Sequence, residues 1–138
     1  MALVIVVAIT QGIGRPIRYE FATGFIGWVM IEYENPSCSA LQSRGLYIVI
    51  SIPPTGRACT SSSAPMGWRY LRHEYVNPEG KRTVITHQGG WDSDNRIRGG
   101  SLAAAQKTVR FPRETFFVGT KDQLQKSWEK RPDVRDHM

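Results

Sequence analysis

Hydrophobic and polar positions alternate with a period of two along most of the chain, the pattern of half-buried β-strands. Ile17, Tyr19 and Phe21 are set against Arg18 and Glu20. In the stretch from Gly27, Trp28, Met30 and Glu32 fall on one face and Val29, Ile31 and Tyr33 on the other. The run Leu46–Ile52 is nearly continuous in apolar residues and reads as a central strand buried on both sides. Pro53-Pro54 ends it, since proline donates nothing to a strand ladder. Residues 68–76 alternate again, the stretch Asn77–Gly80 (NPEG) is a turn signal, and 81–87 returns as a partner strand, so a hairpin is expected over 69–87. Gln88–Gly100 carries two glycine pairs and no period, and reads as a long loop. Lys107–Phe111 and Thr115–Thr120 add strands on either side of Pro112. Thr120 as N-cap with Gln123 three residues on predicts a capping box. The short helix that follows has Leu124 and Trp128 on one face and ends near Pro132. About seven short strands with regular turn signals predict a mainly β fold, an antiparallel β-sandwich or open barrel with one short C-terminal helix.

At 138 residues the chain has the length of one domain. It divides into an apolar segment 1–12, a single β-rich domain 13–131 and a polar tail 132–138. The apolar run Ala2–Ile9 is too short for a membrane-spanning helix, which needs about 20 apolar residues. It fits either the core of an export signal or a first strand rich in β-branched residues; no basic residue precedes it. The formal charge of +6 favours acidic partners, whether nucleic acid, anionic lipid or an acidic protein, and an envelope protein or other acidic partner is expected. The basic residues are dispersed without a run of five, so a nucleic-acid groove is the weaker reading. Cys38 and Cys59 are the whole thiol inventory. Their even number in an exported chain suits a disulfide, and two free thiols fit the spacing as well.

The loop "IPPTGRACTSSSAPMGW" (Ile52–Trp68) invites a nucleophile reading, with Cys59 or one of Ser61, Ser62 and Ser63 attacking and His73 or His87 as base. No G-x-S-x-G context supports it, and its hydroxyls suit hydrogen bonds to backbone groups in turns. Asp92, Asp94 and Asn95 resemble the start of a calcium loop, but Arg96 and Ile97 stand where a ligand and a glycine belong, so no metal site is expected. No cofactor is expected either. The weak candidates for binding are Thr60, Ser61, Ser62, Trp91, Arg96 and Arg98.

Four segments, "GFIGWVMIEYENP", "LYIVISIPPTGRACTSS", "YVNPEGKRTVI" and "FFVGTKDQL", occur in an order that resembles an uncharacterised bacterial domain family of small exported proteins. The family pattern is a G-[FY]-[IV]-G-W strand, a P-x-[ST]-G…T-S-S segment and a late F-x-V-G-T. The resemblance spans most of residues 17–124 and marks Gly27, Trp28, Gly56, Thr60, Ser61, Ser62 and Gly119 as family positions. It implies export, periplasmic or secreted, and a β-rich fold, and carries no assigned activity. The leading expectation is therefore an exported, non-catalytic binding or structural module. The alternatives are a small hydrolase using Cys59 or Ser61, a basic nucleic-acid binder, and a cytoplasmic location.

Overall fold

The structure, a computed structural model, describes residues 15–65, 70–86, 96–103 and 110–132. Within them lie nine strands in two sheets. They are β1 (Ile17–Ala22), β2 (Gly27–Glu32), β3 (Gln42–Arg44), β4 (Tyr47–Ser51), β5 (Arg57–Cys59), β6 (Leu71–Val76), β7 (Arg82–Ile85), β8 (Arg96–Ala103) and β9 (Arg113–Gly119). The first sheet has the order β3-β4-β1-β6-β7 and the second β5-β2-β9-β8. A helix, α1 (Lys121–Lys126), and a 3-10 turn (Trp128–Lys130) follow. The architecture is a mainly β sandwich, with mixed sheets and no barrel closure.

The purely antiparallel expectation needs correcting. β1 runs parallel to both β4 and β6, and β2 runs parallel to β5. The cause is the path of the chain, which crosses from one sheet to the other after β1, β2, β4, β5 and β7. Strands joined by a hairpin (β3–β4, β6–β7, β8–β9) pair antiparallel. β4, β5 and β6 have no hairpin link to β1 or β2, so nothing local forces them to run antiparallel to those strands.

The inner faces follow the alternation of the sequence. Ile17, Tyr19 and Phe21 meet Val29, Ile31, Tyr33, Phe116 and Val118 across the sandwich, all of them at most 2% exposed. Each such side chain contributes about 1.5–3 kcal/mol by leaving water. The run from Leu46 is not the central strand: β4 lies next to the edge, Leu46 is 80% exposed and Ser51 is exposed. The centre belongs to β1, whose alternating charges form an ion-pair network on the outer face.

The hairpin stands as expected, its turn fixed by the Gly80 amide on the Asn77 carbonyl (2.9 Å) and the Lys81 amide on the Asn77 side chain (2.7 Å). The capping box forms with both reciprocal bonds, Gln123 N–H to Thr120 Oγ1 (3.2 Å) and Thr120 N–H to Gln123 Oε1 (2.8 Å). The loop expected over 88–100 is a strand from Arg96 onward, paired with β9 and irregular between Arg98 and Ser101. The glycine pair at 99–100 that suggested a loop sits at that irregularity, where glycine is at home. Arg110 and Phe111 lie outside any strand, and β9 begins after Pro112 rather than on both sides of it. Outside the described residues fall the N-terminal segment 1–12, Trp68 and Arg69, His87, Trp91, the Asp92–Asn95 cluster, Lys107 and all of the tail after Pro132.

The candidate site at the disulfide corner

Gly56 turns the chain from Pro53-Pro54 into β5, with φ of +77° and its amide on the Pro53 carbonyl at 2.8 Å. β5 then pairs with β2, bringing Cys59 opposite Glu32. Cys38 and Cys59 are joined in a disulfide with a Cα–Cα distance of 5.9 Å. The bond ties the segment before edge strand β3 to edge strand β5 of the other sheet. On the opposite side the sheets meet through a bridge between Thr86 and Arg96, with the Ile97 amide on the Thr86 carbonyl (3.1 Å).

The hydroxyls of the loop act here as fasteners. Thr60, 1% exposed, donates through Oγ1 to the Ser39 carbonyl (2.8 Å) and accepts from the Ser62 amide (3.1 Å). The Leu41 amide donates to Ser62 Oγ (2.9 Å), and the Ser61 amide to the Ser39 carbonyl (3.2 Å). Cys59 carries no free thiol in this bonded form, so it has no thiolate with which to attack. His73 lies in the core at 3% exposure, stacked on Tyr19 (ring centroids 4.3 Å) and edge-on to Phe116 (5.4 Å). Among the weak binding candidates, Arg98 Nε donates to the Gly119 carbonyl (2.9 Å), and Arg96 opens β8.

Beside the corner a cleft of about 240 Å³ opens between the sheets. Arg15, Ser43, Ser62 and Ser63 supply its polar rim, and Ile17, Leu41 and Ile48 much of its apolar wall. The Arg15 guanidinium is held by Ser43 Oγ at 2.9 Å. Of the expected residues, the structure brings Ser62 to this cleft; Arg96, Arg98 and His73 are not among its lining residues.

Tyr33 also lines the cleft, and its hydroxyl points inward to Glu114 Oε1 at 2.6 Å. Tyr19 donates to the same carboxyl, 2.8 Å from Oε1 and 2.9 Å from Oε2. Burial raises the Glu114 pKa, and the two tyrosine hydrogen bonds oppose that rise without cancelling it. Burial likewise raises the Tyr33 pKa, and the charge of Glu114 adds to it, so Tyr33 stays a donor at any physiological pH. The sequence holds the signal for this buried carboxyl. Glu114 shares its parity with Phe116 and Val118, which marks it as an inward-facing acid in an apolar strand.

A family profile matches residues 19–127, from the middle of β1 to just past α1. The chain belongs to DUF6843, a family of unknown function. That range takes in both sheets and the disulfide corner of this DUF6843 chain, so the family is defined by the whole sandwich. No curated protein matches the sequence. Among solved structures, the chain is similar to the crystal structure of a "Putative Lipoprotein from Bacillus anthracis". The two share 19% identity and a TM-score of 0.58 over 90% of this chain and 83% of that one. At that identity the likeness speaks for the fold.

Proposed function

We propose that this DUF6843 chain is an exported, non-catalytic binding module of the bacterial envelope. The observation that carries the reading is the Cys38–Cys59 bond, which closes one open side of the sandwich next to the cleft. Disulfides persist in oxidising compartments and are kept reduced in the cytosol. The likeness in fold to a structure described as a lipoprotein points the same way. No helix among the described residues is long and apolar enough to cross a membrane.

The cleft sets the scale of what it binds. At about 240 Å³ it lies below the volumes of about 300–1,000 Å³ that hold drug-sized ligands. It fits a side chain or a chain end of a partner protein better than a cofactor. Thr60 and Ser62 already hold backbone groups, which counts against either hydroxyl as a nucleophile.

Fractionation of native cells with intact-mass measurement tests the reading. The protein is expected in the envelope or secreted fraction, gaining the mass of two hydrogens on reduction. Recovery from the cytosol with both thiols free would overturn it.

A further inference from the structure

β1, β4 and β6 run parallel and start level with one another, Ile17 beside Ile48 and Leu71. The Ile48 amide bonds the Pro16 carbonyl and the Ile17 amide the Tyr70 carbonyl, which aligns the residues before each strand into one row. β2 and β8 finish at this same end and β9 begins there: the Tyr33 amide bonds the Pro112 carbonyl, and Ala103 pairs with Arg113. One end of the sandwich is thus assembled from the starts of β1, β4, β6 and β9 and the ends of β2, β3 and β8.

That end is unusual in what it exposes. Leu46, at the tip of the β3–β4 hairpin, is 80% exposed, Tyr70 58% and Leu102 42%. Gly45, with φ of +62°, makes the tight turn that pushes Leu46 outward. Arg15, Arg44 and Arg110 are exposed around these apolar tips, and Arg18 and Arg72 stand in the first outward row behind them. The acids of that sheet, Glu20 and Glu74, are set one outward position further back, where Arg18, Arg44 and Arg72 reach them, and among the described residues the exposed acid at this end is Glu34, on the rim of the other sheet. The helical end mixes signs instead, with Asp122 and Glu129 among its lysines.

We infer that this end docks on an anionic lipid surface. Exposed apolar side chains set among arginines suit an interface where hydrocarbon lies just beneath anionic headgroups. The described chain begins at Arg15, in the middle of this end, and the apolar run Ala2–Ile9 precedes it in the sequence. Leu46 and Tyr70 enter the headgroup layer; Arg110, and Arg44 in exchange for its half-exposed ion pair with Glu20 (3.2 Å), contact the lipid phosphates. The inference goes beyond export, and the purified protein tests it independently of where the cell sends the chain.

The experiment is hydrogen exchange read by mass spectrometry on the full oxidised chain. Vesicles of phosphatidylcholine alone are compared with vesicles containing phosphatidylglycerol. Slowed exchange is expected at 44–47, 70–72 and 110–111 with the anionic vesicles, and none at 24–27 or 53–56. High salt removes the protection. The Arg44→Glu/Arg110→Glu variant weakens it about tenfold or more, from about 1 kcal/mol per arginine at such a surface. Leu46→Ser, a change at an exposed tip that leaves the core intact, weakens it as well. Vesicle binding through the N-terminal segment without protection at these three stretches overturns the inference. So does protection that is equal on neutral vesicles, or protection produced by an acidic protein and by neither kind of vesicle.

Discussion

Glu114 is the residue at which the fold and its titration meet. Its raised pKa means that the folded state favours the protonated carboxyl. The resulting stability is fully present below the ordinary value near 4.5 and is lost as pH rises through the folded value. Glu114→Gln keeps the shape and removes the charge. Denaturant titrations at a series of pH values are expected to show a slope above about pH 4.5 in the native chain that the variant lacks; identical slopes would count against the assignment. Glu74 works in the opposite sense. Burial would raise its pKa, and the hydrogen bonds and charges of Arg72 and Arg82 overcome burial and lower it. Its contribution is present above the ordinary value and is lost as pH falls through the lowered one. Gly56 is the second sensitive residue. A Cβ there would land against the Trp28 carbonyl oxygen while the backbone holds φ at +77°. Gly56→Ala is expected to destabilise by about 1–3 kcal/mol, measured by chemical denaturation.

Among the elements, short β5 depends most on something outside its own ladder. It is three residues long and borders a single strand, β2, so the disulfide at its last residue limits how far it can peel away. Closing a loop of 21 residues contributes about 3 kcal/mol through the entropy of the unfolded chain. Cys38→Ser/Cys59→Ser is expected to lose about that much stability in urea, and an unchanged midpoint would contradict the role given to the bond. The helical end was legible because a capping box is a local code: Thr120 and Gln123 satisfy each other within one turn. Even so, α1 stops at Lys126, and the Trp28 indole, donating to the Ser127 carbonyl at 3.0 Å, helps hold the chain where it tightens into the 3-10 turn. Trp128 then lies against Trp28, centroid to centroid 6.1 Å, instead of extending a helical face.

For the molecule as a whole, the outer face of the five-stranded sheet shows how neighbours in the sheet decide a residue's role. Glu20 and Glu74 sit side by side on parallel strands, a repulsive placement by itself. Arg18, Arg44 and Arg82 close on Glu20, and Arg18, Arg72 and Arg82 on Glu74. With four arginines for two acids, this face keeps a positive excess next to the end assigned to the lipid surface. The disulfide corner, the cleft and the row of strand starts are neighbours, so a ligand in the cleft would lie close to whatever covers that end.

By itself the sequence determined what depends on neighbours along the chain. These features are the alternation of β1, β2 and β6, the hairpin around Asn77–Gly80, the cap at Thr120, and the presence of two cysteines. Only the tertiary structure decided which strands lie side by side. Hairpins fix antiparallel neighbours locally, but the repeated crossings between sheets placed β1 parallel to β4 and β6, and nothing in the alternation of β1 records that. The same crossings brought Cys38 to Cys59 and Tyr19 and Tyr33 to Glu114. Those contacts join residues up to 95 positions apart, and a pattern of period two carries no memory over that distance.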